Sequence, residues 1–276
     1  MSTNALDLEE TGLEVLDLET DAEFVARRLH PRDVTTQMAG LKSLTKAFVD
    51  DPDTVLQELV NAAVELCGAD SAGVSIEKED KNESAYYHWI ATAGTYSGFL
   101  DAVLPRHPSA CGVCLAEQRP QHFRVTKRFF DILNVEAPIV TDGILLPWEA
   151  GTVRGTIFVM AHGRTEAFDR DDAVMMQVLA DFAAMAVRHQ TQQRKLLEQA
   201  SAKAAAEMAN DLAHQINNPL QSVTNLLFMA DEGHIKTDAK SLSQQLREPV
   251  QTLGLLVRRL LELPGIRNRM NSSSTN

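Results

Sequence analysis

Two segments near the C-terminus carry apolar residues at every third or fourth position, which is the repeat of an amphipathic helix. The first contains Leu212, Ile216, Leu220, Val223 and Leu227, and the second contains Leu242, Leu246, Val250, Leu253, Val257 and Leu260. Gly233 lies between them and predicts a turn, so the two helices are expected to return antiparallel as a hairpin. Because one hairpin alone leaves its apolar stripe in water, the pattern predicts a homodimer with a four-helix bundle.

The segment before this hairpin is expected to form a single long helix. Neither glycine nor proline occurs between Asp169 and Asn218. This predicts a helix of about 50 residues with Asp169 as its N-cap. A weak apolar seam follows the helix through Phe182, Met185, His189, Leu196, Ala200, Met208 and Leu212. Such a length without internal caps predicts a coiled coil between two chains.

Helical and strand-type patterns alternate in the first two-thirds of the chain. One helix is predicted over 24–50, and a second begins with Asp51 as its cap and Pro52 in its first turn and ends at Gly68. Strands are predicted over 71–77 and 86–93, and a β-hairpin over 143–149 and 154–162, whereas residues 94–142 show little periodicity. This order predicts an α+β sensor module, in which helices flank an antiparallel sheet.

Charge and composition limit the classes of function. The chain has 276 residues and a formal net charge of −12, which argues against general nucleic-acid binding. Acidic residues dominate the beginning of the chain, so residues 1–34 are expected to be a frayed acidic arm with the start of the first helix. A polar tail at 265–276 is expected to be disordered. No apolar run of about 18 residues and no signal pattern occurs, which predicts a cytoplasmic protein without a membrane segment.

The three cysteines do not suggest a disulfide framework. Cys67 ends an apolar helical run and is expected in the core. Cys111 and Cys114 form a single Cys-x-x-Cys motif, for which a zinc site would need His107 and His122 as further ligands. Redox sensing is a second interpretation, and packing of small residues at a turn is the favoured one. The sequence predicts no metal site.

Four segments give the first two-thirds of the chain a resemblance to GAF domains. They are Asp70-Ser-Ala-Gly-Val-Ser, Ser109-Ala-Cys-Gly-Val-Cys-Leu, Arg154-Gly-Thr-Ile-Phe-Val and Phe168-Asp-Arg-Asp-Asp. The resemblance extends over residues 35–190 and is to the type found before bacterial histidine kinases. It implies a small-molecule ligand, such as a cyclic nucleotide, tetrapyrrole, haem or gas, or else a role in dimerisation.

If the domain has a ligand pocket, we expect its wall among the apolar and polarisable side chains around the irregular segment. The candidates are Trp89, Cys111, Cys114, Phe123, Phe130, Trp148 and His162. The favoured alternative is that the aromatic residues are core of the sheet. No cofactor is predicted with certainty. A bilin could attach through Cys111 or Cys114, although the cysteine-histidine dipeptide of bilin-binding GAF domains is missing.

His214 lies off the apolar stripe and is expected to face water, where a titratable imidazole is suited to reversible chemistry. The segment Ala213-His214-Gln215-Ile216-Asn217-Asn218-Pro219-Leu220 resembles the H-box of sensor histidine kinases, and the resemblance extends over residues 191–264. It implies that His214 accepts a phosphoryl group in a dimerisation and phosphoacceptor domain. It also implies that Asn218 positions the water that dephosphorylates a response regulator.

Two departures from this family change the expected activity. Gln215 stands where the family has an acidic residue, and an amide does not take up a proton at neutral pH. Only twelve residues follow Pro264, so no ATP site of the kinase type is expected. The sequence therefore predicts no autokinase activity.

The predicted protein is a GAF sensor joined to a histidine phosphoacceptor, which relays phosphoryl groups or dephosphorylates a response regulator. Its expected partners are a response regulator, a partner histidine kinase and a second copy of the chain. One alternative is a non-catalytic scaffold or decoy that binds regulators or kinases. Another is a small-molecule or redox sensor whose output is dimer geometry. A separate ATPase subunit acting on His214 is a further alternative, which Gln215 weakens.

Overall fold

The computed structural model describes residues 8–29, 33–79, 85–232 and 239–261. The strands are β1 Leu13–Asp17, β2 Ser71–Glu79, β3 Ala85–Gly94, β4 Val103–Pro105, β5 Gln121–Val125, β6 Val140–Ala150 and β7 Val153–Ala161. The helices are α1 Leu8–Thr11, α2 Ala22–Ala26, α3 Val34–Asp50, α4 Val55–Cys67, α5 Ala110–Glu117, α6 Lys127–Leu133, α7 Arg170–Asp231 and α8 Ala239–Leu261. The chain divides into two compact units, Met1–Gln192 and Gln193–Asn276.

The first unit is built on a seven-stranded sheet in the order β1-β5-β6-β7-β2-β3-β4. All of its strand pairs are antiparallel. Successive side chains of a strand point to opposite faces, so each face has its own apolar core. On β6, Ile144 and Leu146 belong to the core shared with α4 and α7, whereas Leu145 belongs to the core shared with α5 and α6. We call these sides the α7 face and the α5 face. The predicted α+β fold is confirmed.

The predicted strands are present and somewhat longer than expected. β2 ends at Glu79 rather than at residue 77, and β6 begins at Val140 rather than at residue 143. The segment 94–142, in which the sequence showed little periodicity, contains β4, α5, β5 and α6. These elements are short, from three to eight residues, and an apolar repeat is hardly visible over such a length.

The predicted helix over 24–50 is wrong, because two helices occupy this region. α2 ends at Ala26, and Arg27 after it has an extended backbone with a ψ angle of 141°. α3 has its own N-cap, Asp33, whose carboxylate accepts from the backbone N–H groups of Thr35 and Thr36. Asp33 is a typical N-cap residue that marks the beginning of a helix in the sequence, but the apolar repeat obscured it.

Asp51 is not the cap of the next helix, as the sequence had suggested. Asp51 follows the last residue of α3, residues 52–54 form a turn, and α4 begins at Val55. The predicted stop at Gly68 is confirmed: its φ of 59° lies in the left-handed region that glycine adopts without strain.

The frayed acidic arm is a wrong prediction for the described residues 8–29. β1 pairs with β5 at the edge of the sheet, in a register that places Leu13 opposite Val125 and Asp17 opposite Gln121. Phe24 on α2 is only 1% exposed and joins the core on the α7 face. The alternating apolar side chains of this segment therefore decide its structure, in spite of its acidic composition.

α7 is one continuous helix, as predicted from the absence of glycine and proline after Asp169. Asp169 caps it through Oδ1, which accepts from the backbone N–H of Asp171 at 2.9 Å. The first part of α7, up to Gln192, lies in the first unit and buries Met176, Leu179 and Ala183 on the α7 face. The helix continues beyond Pro219, which lies within it.

The second unit holds the rest of α7 together with α8. Leu212 and Leu256 are its most buried large apolar residues, at 8% and 9% exposure. The predicted turn at Gly233 and the predicted tail at 265–276 lie outside the described residues. Within the described ranges, no helix combines the length and apolarity needed to cross a membrane.

Candidate functional site

A small cavity lies on the α5 face of the sheet. Its volume is about 60 Å³, and its wall is formed by side chains of β1, β3, β5, β6 and β7 together with α5 and α6. The wall is almost entirely apolar; Leu145, Phe158 and Met160 supply the sheet side, and Phe129 and Phe130 come from α6. An apolar space of this kind favours an uncharged occupant.

Trp89 contributes the most distinctive polar group of this cavity wall. The side chain is buried with 9% exposure, and its ring centroid lies 4.8 Å from that of Phe158 and 6.0 Å from that of Tyr96. Among the described residues, the indole Nε1–H has no hydrogen-bond partner. A buried donor without a partner destabilises the fold by about 1–3 kcal/mol. A ligand with an acceptor atom would remove that penalty.

Cys111 lines the cavity as a buried thiol. Its Sγ accepts a hydrogen bond from the Thr156 hydroxyl at 3.2 Å, and the Ser75 hydroxyl lies 3.8 Å away. Burial raises the pKa of the Cys111 thiol, although these hydroxyls act in the opposite direction. The sulfur therefore stays protonated at neutral pH, and it contributes packing and polarisability rather than nucleophilicity.

Cys114 lies one turn further along α5 and does not line the cavity. Its S–H donates to the carbonyl oxygen of Arg119 at 3.3 Å, and burial raises the pKa of the thiol. Within the ranges that the structure describes, no three His, Cys, Asp or Glu side chains are grouped so as to hold a metal ion. His122, one of the candidate zinc ligands, instead contacts Asp21 and Asp142 through its two ring nitrogens.

Trp148 is not part of the cavity, because it points to the other face of the sheet. It lies two residues after Leu146 on β6 and is 3% exposed in the core on the α7 face. Gly155 on the neighbouring strand makes room for the indole, since a Cβ there would lie 2.4 Å from Trp148 Cζ2. The prediction of Trp148 as a pocket residue is wrong, because side chains two residues apart on a strand point to the same face, and this face is the one opposite the cavity.

His162 also lies outside the cavity wall. Its Nδ1 donates to the carbonyl oxygen of Ile139 at 2.8 Å, and its Nε2 lies 2.7 Å from the Ser71 hydroxyl. The ring stacks on Tyr96 at a centroid distance of 4.8 Å. These contacts connect the ends of β2, β6 and β7 and leave neither ring nitrogen for a ligand.

The cavity thus brings together four of the seven side chains predicted from the sequence: Trp89, Cys111, Phe123 and Phe130. The sequence reasoning missed Tyr96, Phe129, Leu145, Phe158 and Met160. The alternation of Phe158 and Met160 on β7 was a readable signal that they share a face. Nothing local showed that this face is the one with the cavity.

His214 is exposed on α7 in the second unit. Within the described residues, no hydrogen bond or ion pair engages its ring. Leu212, two residues before it, is buried, and Ile216, two residues after it, is partly buried. An offset of two residues turns the side chain to the far side of a helix. The imidazole is therefore accessible from solvent, and no described residue engages its nitrogens.

Gln215 and Asn218 are polar, exposed residues next to His214 on this helix. The side-chain amide of Gln215 donates to Asp211 Oδ2 at 2.8 Å, one turn back along the helix. Asn218 is exposed and accepts through its backbone oxygen from the Ser222 hydroxyl at 3.2 Å. Pro219 has no N–H, so the Gln215 carbonyl lacks its usual partner in the helix.

Several solved structures are similar to part of this chain. The GAF domain of a phosphoenolpyruvate-protein phosphotransferase from Coxiella burnetii is 16% identical, with a TM-score of 0.47 over 59% of this chain and 99% of that chain. The corresponding domain from Acinetobacter is 13% identical, with a TM-score of 0.44 over 58% and 97%. The phycocyanobilin-bound GAF domain from a cyanobacterial phytochrome is 15% identical, with a TM-score of 0.43 over 60% and 98%.

The first unit has an α+β fold, with a central antiparallel sheet between two helical layers. A family model described as the GAF domain matches residues 51–187. The chain therefore contains a GAF domain, which is a sensor domain found in signalling proteins.

Proposed function

We propose that this chain is a two-component signalling protein in which a GAF domain at 35–190 senses a small uncharged ligand and a helical segment at 191–264 presents His214 to a partner. The partner is a response regulator or another histidine kinase. His214 then accepts and passes on a phosphoryl group, or the site dephosphorylates the regulator. The observation that carries this proposal is the exposed imidazole inside its H-box-like sequence, which no described residue engages.

The chemistry of the relay needs little from the chain beyond an accessible imidazole. A neutral ring nitrogen of His214 attacks the phosphorus of a phosphorylated aspartate on the regulator. The N–P bond forms while the P–O bond breaks, the aspartate leaves as a carboxylate, and the proton on the other ring nitrogen passes to water. Such transfers depend mainly on positioning and charge neutralisation, which the bound regulator supplies.

Dimerisation would bury the apolar side chains that the helical segment exposes in a single chain. Several apolar side chains on α7 and α8 are strongly exposed in the single chain: Leu220, Leu227, Phe228, Val250 and Leu255. A second copy would cover such side chains in a four-helix bundle. Sedimentation of the full chain at rising concentration tests this part, with a concentration-independent monomer as the contrary result.

The relay is tested by mixing the purified full chain with candidate regulators carrying labelled phosphoaspartate. We expect acid-labile, base-stable label on the wild type and its loss in His214→Ala. Gln221→Ala, at another exposed position of the same helix, is the matched control and keeps the label. ATP alone is expected to leave the wild type unlabelled. Label that persists in His214→Ala would refute this role.

The phosphatase reaction needs a separate test, because it does not require a phosphorylated histidine. We expect Asn218→Ala to slow loss of phosphate from the regulator while leaving label transfer to His214 intact. An equal loss of both reactions would instead indicate that the variant no longer binds the regulator.

The volume of the GAF cavity restricts the ligand class. Pockets for drug-sized molecules have volumes of about 300–1,000 Å³, and this cavity has about 60 Å³. Haem, bilins and cyclic nucleotides therefore do not fit without rearrangement. A ligand of a few non-hydrogen atoms, mostly apolar and with one acceptor for Trp89 Nε1, fits both size and chemistry.

The two tryptophans allow an internally controlled test of this ligand class. In ¹H–¹⁵N spectra with acetone or xenon as probes, we expect the indole N–H resonance of Trp89 to shift and that of Trp148, on the other face, to remain. Ala110→Leu, which fills the cavity, is expected to abolish the shift. Equal shifts at both indoles, or none, would contradict the proposed site.

A non-catalytic scaffold is the second candidate function. It is favoured by the replacement of the acidic position by Gln215, whose amide is already engaged by Asp211. A scaffold would bind regulators or kinases equally well with His214→Ala, whereas the relay loses its biological output with that substitution. Binding and signalling measured on the same variant separate the two.

A further inference from the structure

The N-terminal segment 13–29, which we call the strap, is an integral part of the first unit. It consists of β1, α2 and the residues Arg27–Leu29, and it precedes the part matched by the GAF family model. Its backbone N–H at Leu18 donates to the carbonyl oxygen of Pro120 at 3.1 Å, directly after the paired strands. Phe24 anchors α2 in the core.

One buried carboxylate connects the strap to two other parts of the domain. The side chain of Asp142 on β6 has no exposed surface, and it lies 2.9 Å from Nη1 of Arg27 in the strap. On the sheet, His122 Nε2 lies 2.7 Å from Asp142 Oδ1. From the turn before α7, the backbone N–H groups of Ala167 and Phe168 donate to Oδ2 at 2.9 and 3.2 Å.

His122 extends this network back to the strap. Its Nδ1 lies 2.6 Å from Oδ2 of Asp21, the N-cap of α2, and the side chain is 1% exposed. The His122 ring therefore lies between the two carboxylates and connects Asp21 to Asp142. The Phe24 ring packs against this imidazole at a centroid distance of 5.4 Å.

A second, separate contact joins the strap to the beginning of α7. The backbone N–H of Leu29 donates to Asp169 Oδ2 at 3.0 Å. Asp169 is the residue that caps α7, and its own N–H donates to Asp172 Oδ2 at 3.2 Å. The helix cap and the end of the strap therefore share one carboxylate. Arg27 also donates to the carbonyl oxygen of Phe168 at 3.1 Å.

We propose that the strap is a releasable clamp on the first turn of α7. While the strap is bound, Arg27 contacts the carboxylate of Asp142 and Leu29 contacts that of Asp169. These two carboxylates order residues 165–173. When it lifts, Asp142 keeps a buried charge with fewer donors, which is unfavourable inside a protein. Detachment of the strap and loosening of the start of α7 are thus one event. A factor that binds or pulls the N-terminal segment would act on α7.

The test is hydrogen–deuterium exchange on the full chain with Arg27→Met, which keeps an apolar stem and removes the charge. We expect exchange to rise about tenfold or more in residues 13–29 and 165–173 together. The matched control is Arg124→Met, because Arg124 pairs with Glu14 and Glu23 at the exposed side of the strap. We expect the control to change residues 165–173 by less than about twofold.

Faster exchange of the strap with unchanged exchange of residues 165–173 would overturn the proposal. A second variant covers the case in which Arg27→Met does not fold. Glu14 and Arg124 are directly opposite in the register of β1 and β5, so Glu14→Cys with Arg124→Cys can form a disulfide that locks the strap. We expect slower exchange of residues 165–173 when this variant is oxidised than when it is reduced. Equal exchange in both states would also overturn the proposal.

Discussion

Nη1 of Arg27 lies 2.9 Å from a carboxylate oxygen of Asp142, although 115 residues separate them in the sequence. Both side chains are almost fully buried, with exposures of 2% and 0%. Removing one partner of such a pair leaves an uncompensated charge and destabilises a protein by about 3–5 kcal/mol. The pair therefore makes the fold of the sensor domain depend on residues that precede its family-matched part.

The first prediction concerns acid stability. Burial raises the pKa of Asp142, but the hydrogen bond from His122 and the charge of Arg27 outweigh it, so the pKa lies below its ordinary value of 3.8. Burial likewise raises the pKa of Asp21, and the hydrogen bond from His122 with the backbone donors of α2 lowers it below 3.8. A lowered pKa in the folded state stabilises the protein above the unfolded value, and this stabilisation is lost as the pH falls through the folded value.

We therefore expect the urea midpoint to fall as the pH drops below about 4. Asp142→Asn is expected to lower the midpoint at pH 7 and to flatten its dependence on acid. Asp53→Asn is the control, because Asp53 is exposed and lies outside the network. An acid dependence of Asp142→Asn as steep as that of the wild type would contradict this assignment.

The second prediction concerns Gly155, where β7 passes close to β2 and to Trp148. A Cβ at this position would lie 1.9 Å from the Ser75 carbonyl oxygen. Gly155→Ala is therefore expected to reduce the free energy of unfolding by about 1–3 kcal/mol or more. Gly163→Ala is the control, since nothing lies within 4 Å of a Cβ there. Thermal unfolding of both variants checks the difference, and equal melting temperatures would count against the close packing.

The third prediction compares two leucines of the predicted stripe on α7. Leu212 is 8% exposed and Leu220 is 48% exposed in the single chain. If contacts within one chain stabilise the second unit more than contacts between two copies do, Leu212→Ala lowers its free energy of unfolding by about 2–5 kcal/mol. Leu220→Ala then changes this free energy little. A large effect of Leu220→Ala on sedimentation, with little effect on the monomer, is the result expected if a second copy covers Leu220.

The fourth prediction concerns the amide after His214 and rests on the proposed relay. Gln215→Glu places a carboxylate directly after His214, where it can take up the imidazole proton. General acid–base catalysis contributes about 10²- to 10⁴-fold, so we expect faster label transfer from a phosphorylated regulator, measured under single-turnover conditions. Gln221→Glu adds the same charge at another exposed position and is expected to leave the rate unchanged. Equal rates in all three proteins would show that proton transfer does not limit the reaction.

The parts of the fold that the sequence predicted are those with a long repeat or a strong end signal. Such a repeat or end signal is present in the strands at 71–79 and 85–94, in the hairpin of β6 and β7, and in the continuous α7. β1 is not predicted from the sequence because acidic residues dominate this segment, although Leu13 and Val15 alternate with Glu14 and Leu16 in the way of an edge strand.

The candidate sites were predictable to different degrees for a related reason. The exposure of His214 follows from helix periodicity alone, and it agrees with the structure. The cavity depends on which face of the sheet is covered by α5 and α6, and that relation arises from contacts between distant segments. His162 and Trp148 were assigned to the pocket because their residue types suit one, whereas strand parity and hydrogen bonding place them elsewhere.

The position of β1 beside β5 has a practical consequence for work on this sensor domain. Without its N-terminal residues, β5 would become an open sheet edge, and its unpaired backbone groups would be free to join strands of other molecules. Asp142 and His122 would at the same time lose their charged partners. We therefore expect a version trimmed to the family-matched residues 51–187 to aggregate more readily than one that begins ahead of Leu13.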